Sequence, residues 1–418
     1  MSHLMSAERF DDSLWDVVVV GASLAGCATA IHFSKMGHRV AVVEKRVTAV
    51  EHYKQLCTHF IQPHAAPLLA PLGLEHLLDP ARSVMTRGLF VTPGGTIDAS
   101  YGDDPSARAL NLERRVLDPA IREAARRQGV RFFDRTSVEA LERDGTDWLL
   151  GVRTVHGSRR VRARLVVAAD GRRSRLAGLL GNTTEQRPND RAAIFGYFTG
   201  IAALEGNRSI FIRNGKDMAC VYPLVGGRTA LVLFAEKSRI ANWDGPDDRL
   251  AGLLAYFAGL QESPPLSGAV LDSPLLGYAD YPNQIRQPVA GSVPFVGDAA
   301  LSLDAMSGVG CGFALSSADL LARSFVGRSL DTGDVREGLD DYGLRFEAAF
   351  RPHVDGICAD SLVQKDESTQ QRVFEAICGS PGLSREYLSL TGRLSMPADF
   401  QRALMRTLMT RARSGAIA

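Results

Sequence analysis

Asp16-Val17-Val18-Val19-Val20-Gly21-Ala22-Ser23-Leu24-Ala25-Gly26 opens an α/β architecture. Four β-branched residues in succession suit a strand buried on both faces, as in a parallel sheet. Gly21 follows where the chain must turn tightly, and the alanine-rich run from Ala25 to Lys35 suits a helix packed closely on that strand. Gly37-His38 ends the helix, and Arg39-Val40-Ala41-Val42-Val43-Glu44 reads as a second strand. The three pieces make the βαβ unit of a dinucleotide-binding, Rossmann-like fold. Gly21 permits the turn and Gly26 lets helix and strand approach. The backbone around Ser23, Leu24 and Ala25 offers free N–H groups and partial positive charge to a pyrophosphate. Glu44, 23 positions after Gly21, is placed to accept hydrogen bonds from an adenosine ribose, with Lys45 and Arg46 beside it. Ser23 stands in place of the usual middle glycine and is still small enough for a phosphate to approach. This unit alone suits FAD and NAD equally.

The chain has 418 residues, so at roughly 150 residues per domain two or three domains are expected. With 45% apolar and 23% charged residues it is neither disordered nor fibrous. A net charge of +1 supplies no field for nucleic acid or anionic lipid. Forty glycines exceed the ~29 that average usage would give, and their positions matter below. Six cysteines without CxxC or CxxH spacing argue against a zinc site and suit a reduced, cytoplasmic protein. The apolar stretch from Val17 to Ile31 follows Asp11, Asp12 and Asp16, whereas a secretory signal needs basic residues there. It is also shorter than the ~20 residues of a membrane span, so no membrane span is expected.

Two further motifs follow. Arg164-Leu165-Val166-Val167-Ala168-Ala169-Asp170-Gly171-Arg172-Arg173-Ser174-Arg175 is a strand running into a turn. Val293-Pro294-Phe295-Val296-Gly297-Asp298-Ala299-Ala300 is a strand ending in Gly-Asp, followed by Gly308, Gly310, Gly312 and a helix expected from Phe313 to about Phe325. With all three motifs in order over nearly the whole chain, the sequence resembles the para-hydroxybenzoate hydroxylase-like FAD monooxygenases. That superfamily also contains flavin-dependent halogenases and geranylgeranyl reductases. The resemblance implies that Asp298 binds the ribityl hydroxyls of FAD. It implies that Gly308, Val309 and Gly310 bring backbone N–H groups to the flavin pyrimidine edge. Asp170 and Gly171 match an Asp-Gly motif associated with FAD and nicotinamide cofactor. Arg115 matches an arginine near FAD, with Arg114 as the adjacent alternative. Seven glycines (Gly21, Gly26, Gly171, Gly297, Gly308, Gly310 and Gly312) fall in these motifs, which gives much of the glycine surplus a role where backbone meets cofactor.

The resemblance also implies an FAD-binding domain (13–85, 102–181 and 284–345) interrupted by a substrate domain (86–101 and 182–283), with a helical C-terminal region (346–418). Alternating patterns at 194–198, 209–212, 218–224 and 229–234 suit a β-sheet, the last two joined by a Gly226-Gly227 turn. Phe195, Tyr197, Phe211 and Tyr222 are candidate pocket aromatics, with ordinary sheet core as the competing reading. His59, in the segment from Tyr53 to Leu74, is the candidate polar group facing substrate. Arg402, Arg406, Arg411 and Arg413 suit a solvated helix face rather than a nucleic-acid site.

The activity implied by this resemblance is monooxygenation. NAD(P)H, or a partner flavin reductase, would supply electrons, and a flavin C4a-hydroperoxide would pass one atom of O2 to an aromatic or apolar small molecule. Hydroxylation and epoxidation both fit, in a natural-product tailoring role. There are departures from the hydroxylase pattern: Leu301 replaces a histidine, Ala305 a proline, Gly312 an asparagine and Ala177 an arginine. These keep a geranylgeranyl-type reductase open as an alternative. A halogenase is a weaker one, since Trp15, Trp148 and Trp243 are isolated and form no Trp-x-Trp-x-Ile-Pro signature. A non-catalytic binding platform would have no need to retain Glu44, Asp170 and Asp298 together.

Overall fold

The computed structural model describes residues 14–48, 52–202, 206–362 and 366–413; Asp11 and Asp12 lie outside them. The valine run forms strand β1 (Trp15–Val20), followed by helix α1 (Leu24–Lys35) and strand β2 (Val40–Val43). β2 lies parallel to β1, with Val18 opposite Ala41. On its other side β1 runs parallel to the end of strand Gly157–Ala168, with Val19 opposite Val167. A fourth parallel strand, Arg131–Phe133, flanks β2, while Asp147–Thr154 and Ser137–Asp144 extend the far side antiparallel. Val17 to Val20 and all of β2 are buried, as the continuous apolar runs require when both faces of a sheet are covered. Each such valine contributes roughly 1.5 kcal/mol or more by leaving water. Helix α1 packs against helix α2 (Arg114–Arg127) and against the helix Gly310–Arg323, which starts three residues earlier than expected, inside the glycine motif.

The second sheet has the strand order 270–271, 191–199, 228–236, 217–224, 208–214, 84–92, 109–111, 60–61. The alternating stretches of sequence lie in its four central strands. Leu224 pairs with Arg228 across the expected turn, where Gly226 and Gly227 both take positive φ, a conformation other side chains resist. One face carries Ile194, Phe198, Ile210, Ile212 and Leu231 and packs on the helix Gly245–Ala258 through Leu253 and Phe257. The opposite face carries Phe195, Tyr197, Phe211 and Tyr222, covered by Phe374, Ile377 and Leu388 from the C-terminal helices. Those helices are Thr332–Asp360, Glu367–Cys378, Pro381–Thr391 and Pro397–Arg413. The first runs unbroken through residue 346, and Arg402 and Arg406 are exposed on the last. No described helix is long and apolar enough to cross a membrane.

Candidate active site

The first turn is built without room for side chains. Gly21 has φ +114°, and a Cβ there would lie 2.2 Å from the Ala169 carbonyl oxygen. A Cβ on Gly26 would lie 1.9 Å from the Gly21 carbonyl oxygen. Strand, helix and the neighbouring strand end therefore meet through backbone alone. Ser23 starts α1 with no side-chain cap, leaving the first-turn N–H groups of Leu24 and Ala25 free to bind an anion. Gly297, from the third motif, touches this turn: its Cβ would lie 2.8 Å from that of Ala25. Two motifs about 270 positions apart in sequence thus share one site.

Glu44 leaves β2 with its carboxylate turned back on the motif. It accepts a hydrogen bond from the Ala22 N–H at 2.8 Å and another from the Arg46 N–H at 3.0 Å. Lys45 and Arg46 are exposed, and the Arg46 guanidinium lies 3.5 Å from His52 Nε2. The two candidate arginines of α2 diverge. Arg115 is half exposed and pairs with Glu113 at 3.0 Å. Arg114 is buried; its Nη2 donates to Ser23 Oγ at 3.0 Å and its Nε to Asp118 at 2.6 Å. The apolar phase of α2 carries this information: Leu117, Ile121 and Ala125 mark the inner face, and Arg114 lies one turn back along it.

Asp170 serves the loop that follows it, accepting from Ser174 Oγ at 2.6 Å and from the N–H groups of Arg175 and Leu176 at 2.6 and 3.1 Å. Gly171 takes φ +77° beside it. Asp298 forms a 2.8 Å ion pair with Lys54, a residue that belongs to none of the three motifs. That carboxylate raises the Lys54 ammonium above its usual range. Gly308 is left-handed at φ +66°, and the helix beginning at Gly310 has Val309 before it and no side-chain cap. A second set of free helix N–H groups therefore opens near Asp298.

His59 is buried and held at a left-handed φ of +68°. Its Nδ1 accepts from the Arg114 N–H at 3.2 Å, which leaves the neutral ring's proton on Nε2, 2.7 Å from the Tyr197 hydroxyl. That hydroxyl donates onward to the Cys57 carbonyl at 3.0 Å, and burial raises the Tyr197 phenol well above its ordinary range. Both ring nitrogens of His59 are thus occupied by the protein itself. Arg228 lies 5.2 Å above the Tyr197 ring and pairs with Glu113 at 2.6 Å, as well as with Asp272. The group ties the start of α2 to the second sheet. Nearby, Phe211 stacks on Phe90 at 4.4 Å, Tyr222 stacks on Phe60 at 5.4 Å, and Phe195 lies edge-on to Tyr197.

Residues 15–239 match the family described as FAD binding domain. The chain belongs to that family. It is an FAD-dependent oxidoreductase, and solved flavin monooxygenases and halogenases share its fold. Among curated relatives it is 24% identical to digeranylgeranylglycerophospholipid reductase of Methanococcus aeolicus, over 85% of this chain and 86% of that one. It is 25% identical to menaquinone reductase of Mycobacterium tuberculosis, over 82% and 83%. Among solved structures, p-nitrophenol 4-monooxygenase PnpA from Pseudomonas putida DLL-E4 shares the fold with a TM-score of 0.75 at 20% identity, covering 92% of this chain and 99% of that one. Two uncapped helix starts, a turn closed to side chains, and the acceptor carboxylates Glu44 and Asp298 fit the pyrophosphate and hydroxyls of FAD.

Proposed function

We propose that this protein is a monooxygenase that inserts one oxygen atom from O2 into an apolar or aromatic small molecule, by hydroxylation or epoxidation. One observation carries the reading. Phe195, Tyr197, Phe211 and Tyr222 share a buried cluster with Ala305 and Met306, on the turn that leads into Gly308. An apolar substrate taken up between that aromatic face and the C-terminal helices that cover it would lie beside the flavin-binding loop. FAD, once reduced by NAD(P)H or a flavin reductase, supplies the chemistry that activates O2.

The chain's own residues bind and orient. In this reading Gly21, Ser23, Leu24, Ala25 and Gly26 hold the pyrophosphate and Glu44 the adenosine ribose, with Lys45 and Arg46 flanking it. Asp298, fixed by Lys54, accepts from the ribityl hydroxyls. The backbone N–H groups of Val309 and Gly310, at the positive end of a helix, would favour negative charge on a flavin held there. Gly297 gives the close approach, Asp170 and Gly171 shape the loop beside it, and Arg114 braces Ser23. Arg115, half exposed, lies at the rim. The aromatic wall would keep water from a substrate held against it. His59 acts by positioning Tyr197 and α2, because its ring nitrogens are already occupied.

A second reading, reduction of a carbon–carbon double bond, is supported by the two reductases that align over more than four-fifths of this chain. One experiment separates them. The holoprotein is reduced with dithionite and offered polyprenyl and aromatic substrates, with isotopically labelled O2 or under argon. Label in the product supports oxygen insertion. Substrate consumed under argon without label overturns it in favour of reduction, and purified protein that binds no FAD overturns both.

A further inference from the structure

Two of the six cysteines, 254 positions apart in sequence, meet beside this site: Cys57 Sγ and Cys311 Sγ are 4.0 Å apart. Cys57 lies in the irregular segment before strand Phe60–Ile61 and is half-buried. Cys311 is buried in the first turn of the Gly310–Arg323 helix. The surroundings favour a thiolate on Cys57. The His59 N–H points at its sulfur from 3.4 Å, while Arg114 Nη1 reaches Cys311 only at 3.9 Å and the same guanidinium is paired through Nε with Asp118. With the Cys311 thiol hydrogen directed at Cys57, the Cys57 thiol is pushed well below its usual range. The same bond, with burial, pushes Cys311 well above it. The other cysteines differ: burial above all pushes Cys27 and Cys220 up to about 12, and it also raises Cys358 and Cys378.

We propose that Cys57 and Cys311 are a reversible disulfide site next to the flavin loops, with Cys57 as the attacking thiol, Cys311 as the resolving thiol and hydrogen peroxide as the oxidant. The Cys57 thiolate attacks one peroxide oxygen, the O–O bond breaks, and hydroxide leaves as Cys57 becomes a sulfenic acid. Cys311 sulfur then displaces the sulfenic hydroxyl and the S–S bond forms. The two thiol protons end on the two departing oxygens, so two thiols and one peroxide give one disulfide and two waters. Each sulfur loses one electron and peroxide gains two. Closure needs the sulfurs to approach by about 2 Å, which side-chain rotation in an irregular segment can supply. Half-burial lets peroxide reach Cys57 first, whereas Cys311 is shielded.

The disulfide would tie the segment carrying Lys54, the partner of Asp298, to the first turn of the Gly310 helix. It would also fix the Cys57 carbonyl that holds Tyr197. Oxidation is therefore expected to slow exchange of FAD several-fold. The thiol readout does not depend on which substrate the enzyme takes.

The test uses the full-length holoprotein, treated with one equivalent of hydrogen peroxide, alkylated and mapped by mass spectrometry. The expected result is a fall from six alkylatable thiols to four, with one cross-linked peptide pair containing Cys57 and Cys311, and a return to six with dithiothreitol. In Cys311→Ser, Cys57 accumulates as a sulfenic acid trapped by dimedone. In Cys57→Ser, Cys311 stays reduced at the same dose. Cys378→Ser, remote from the pair, still gives the cross-link. Oxidation of Cys57 straight to sulfinic acid in the unsubstituted protein, or a cross-link through another cysteine, overturns the proposal. The wild-type map stands on its own if either serine variant fails to fold.

Discussion

Replacing Arg114 and Arg115 one at a time by methionine separates two neighbouring residues that composition and motif treat alike. Arg114 is buried with Asp118, and both side chains are at most 4% exposed. Arg114→Met removes the guanidinium and strands a buried carboxylate. Among the described residues Asp118 then keeps the Lys54 N–H at 2.9 Å and Arg122 at 4.0 Å. Breaking a buried pair in this way costs about 3–5 kcal/mol. The lost bond from Arg114 to Ser23, charge-assisted at 3.0 Å, adds about 1.5–3 kcal/mol that bears on the phosphate turn. FAD affinity should therefore fall by roughly 10- to 100-fold. Arg115 is half exposed, and its partner Glu113 retains Arg228, so Arg115→Met should cost about 0–1 kcal/mol and leave FAD affinity nearly unchanged. Urea unfolding of the apoprotein gives the first quantity and flavin fluorescence titration the second. The double variant Arg114→Met/Asp118→Leu should recover stability without recovering FAD affinity, because it removes the stranded charge but not the need for a brace on Ser23. Equal losses from Arg114→Met and Arg115→Met would refute the reasoning, as would a double variant no more stable than Arg114→Met alone.

Gly26→Ala drives a Cβ into the Gly21 carbonyl, so the purified protein should lose its flavin absorbance and on the order of 3 kcal/mol of stability. Gly343→Ala, in open space on the helix Thr332–Asp360, should instead gain up to about 1 kcal/mol; equal behaviour of the two would show that the turn is not closed to side chains. His59→Ala should destabilise by about 2 kcal/mol and couple to Tyr197→Phe by about 1 kcal/mol in a double-mutant cycle. It should leave the pH dependence of flavin reoxidation unchanged, and loss of one limb of that profile would instead make His59 an acid or base. His64 and His353 are both pushed down to about 4 by burial and by the nearby Arg393 charge. Folded, they stay neutral where the unfolded chain takes up protons near pH 6.5, so stability is full above pH 6.5 and falls between there and pH 4. For the buried His353 the loss amounts to at most roughly 3 kcal/mol. Urea midpoints across that window should flatten in His353→Gln, and an unchanged slope would exclude His353 as a source.

The βαβ unit was legible because its signals are local. A valine run, a glycine turn and an acidic strand end need only the periodicity of neighbours. The Gly226-Gly227 hairpin was legible for the same reason. The reason for Gly26 was also readable, since close packing of helix on strand follows from the motif's spacing. The choice between Arg114 and Arg115 was half legible. Successive helix residues point about 100° apart, so the inner face set by Leu117 and Ile121 accepts one of them.

The rest needed the tertiary structure. Lys54 reaches Asp298 across 244 residues, Cys57 reaches Cys311 across 254, and His59 reaches Tyr197 across 138. No periodicity links such partners, because their proximity is set by how two sheets and two helices dock. The histidine singled out in the chain as a candidate polar group facing substrate has both ring nitrogens hydrogen-bonded within the protein once Arg114 and Tyr197 arrive. The sequence by itself therefore determined that this is a dinucleotide-binding α/β protein and where its backbone turns are closed to side chains, since those are properties of single turns. Docking of the sheets and helices decided which charged groups face one another there, since a side chain's chemistry depends on partners that the order of residues does not bring near.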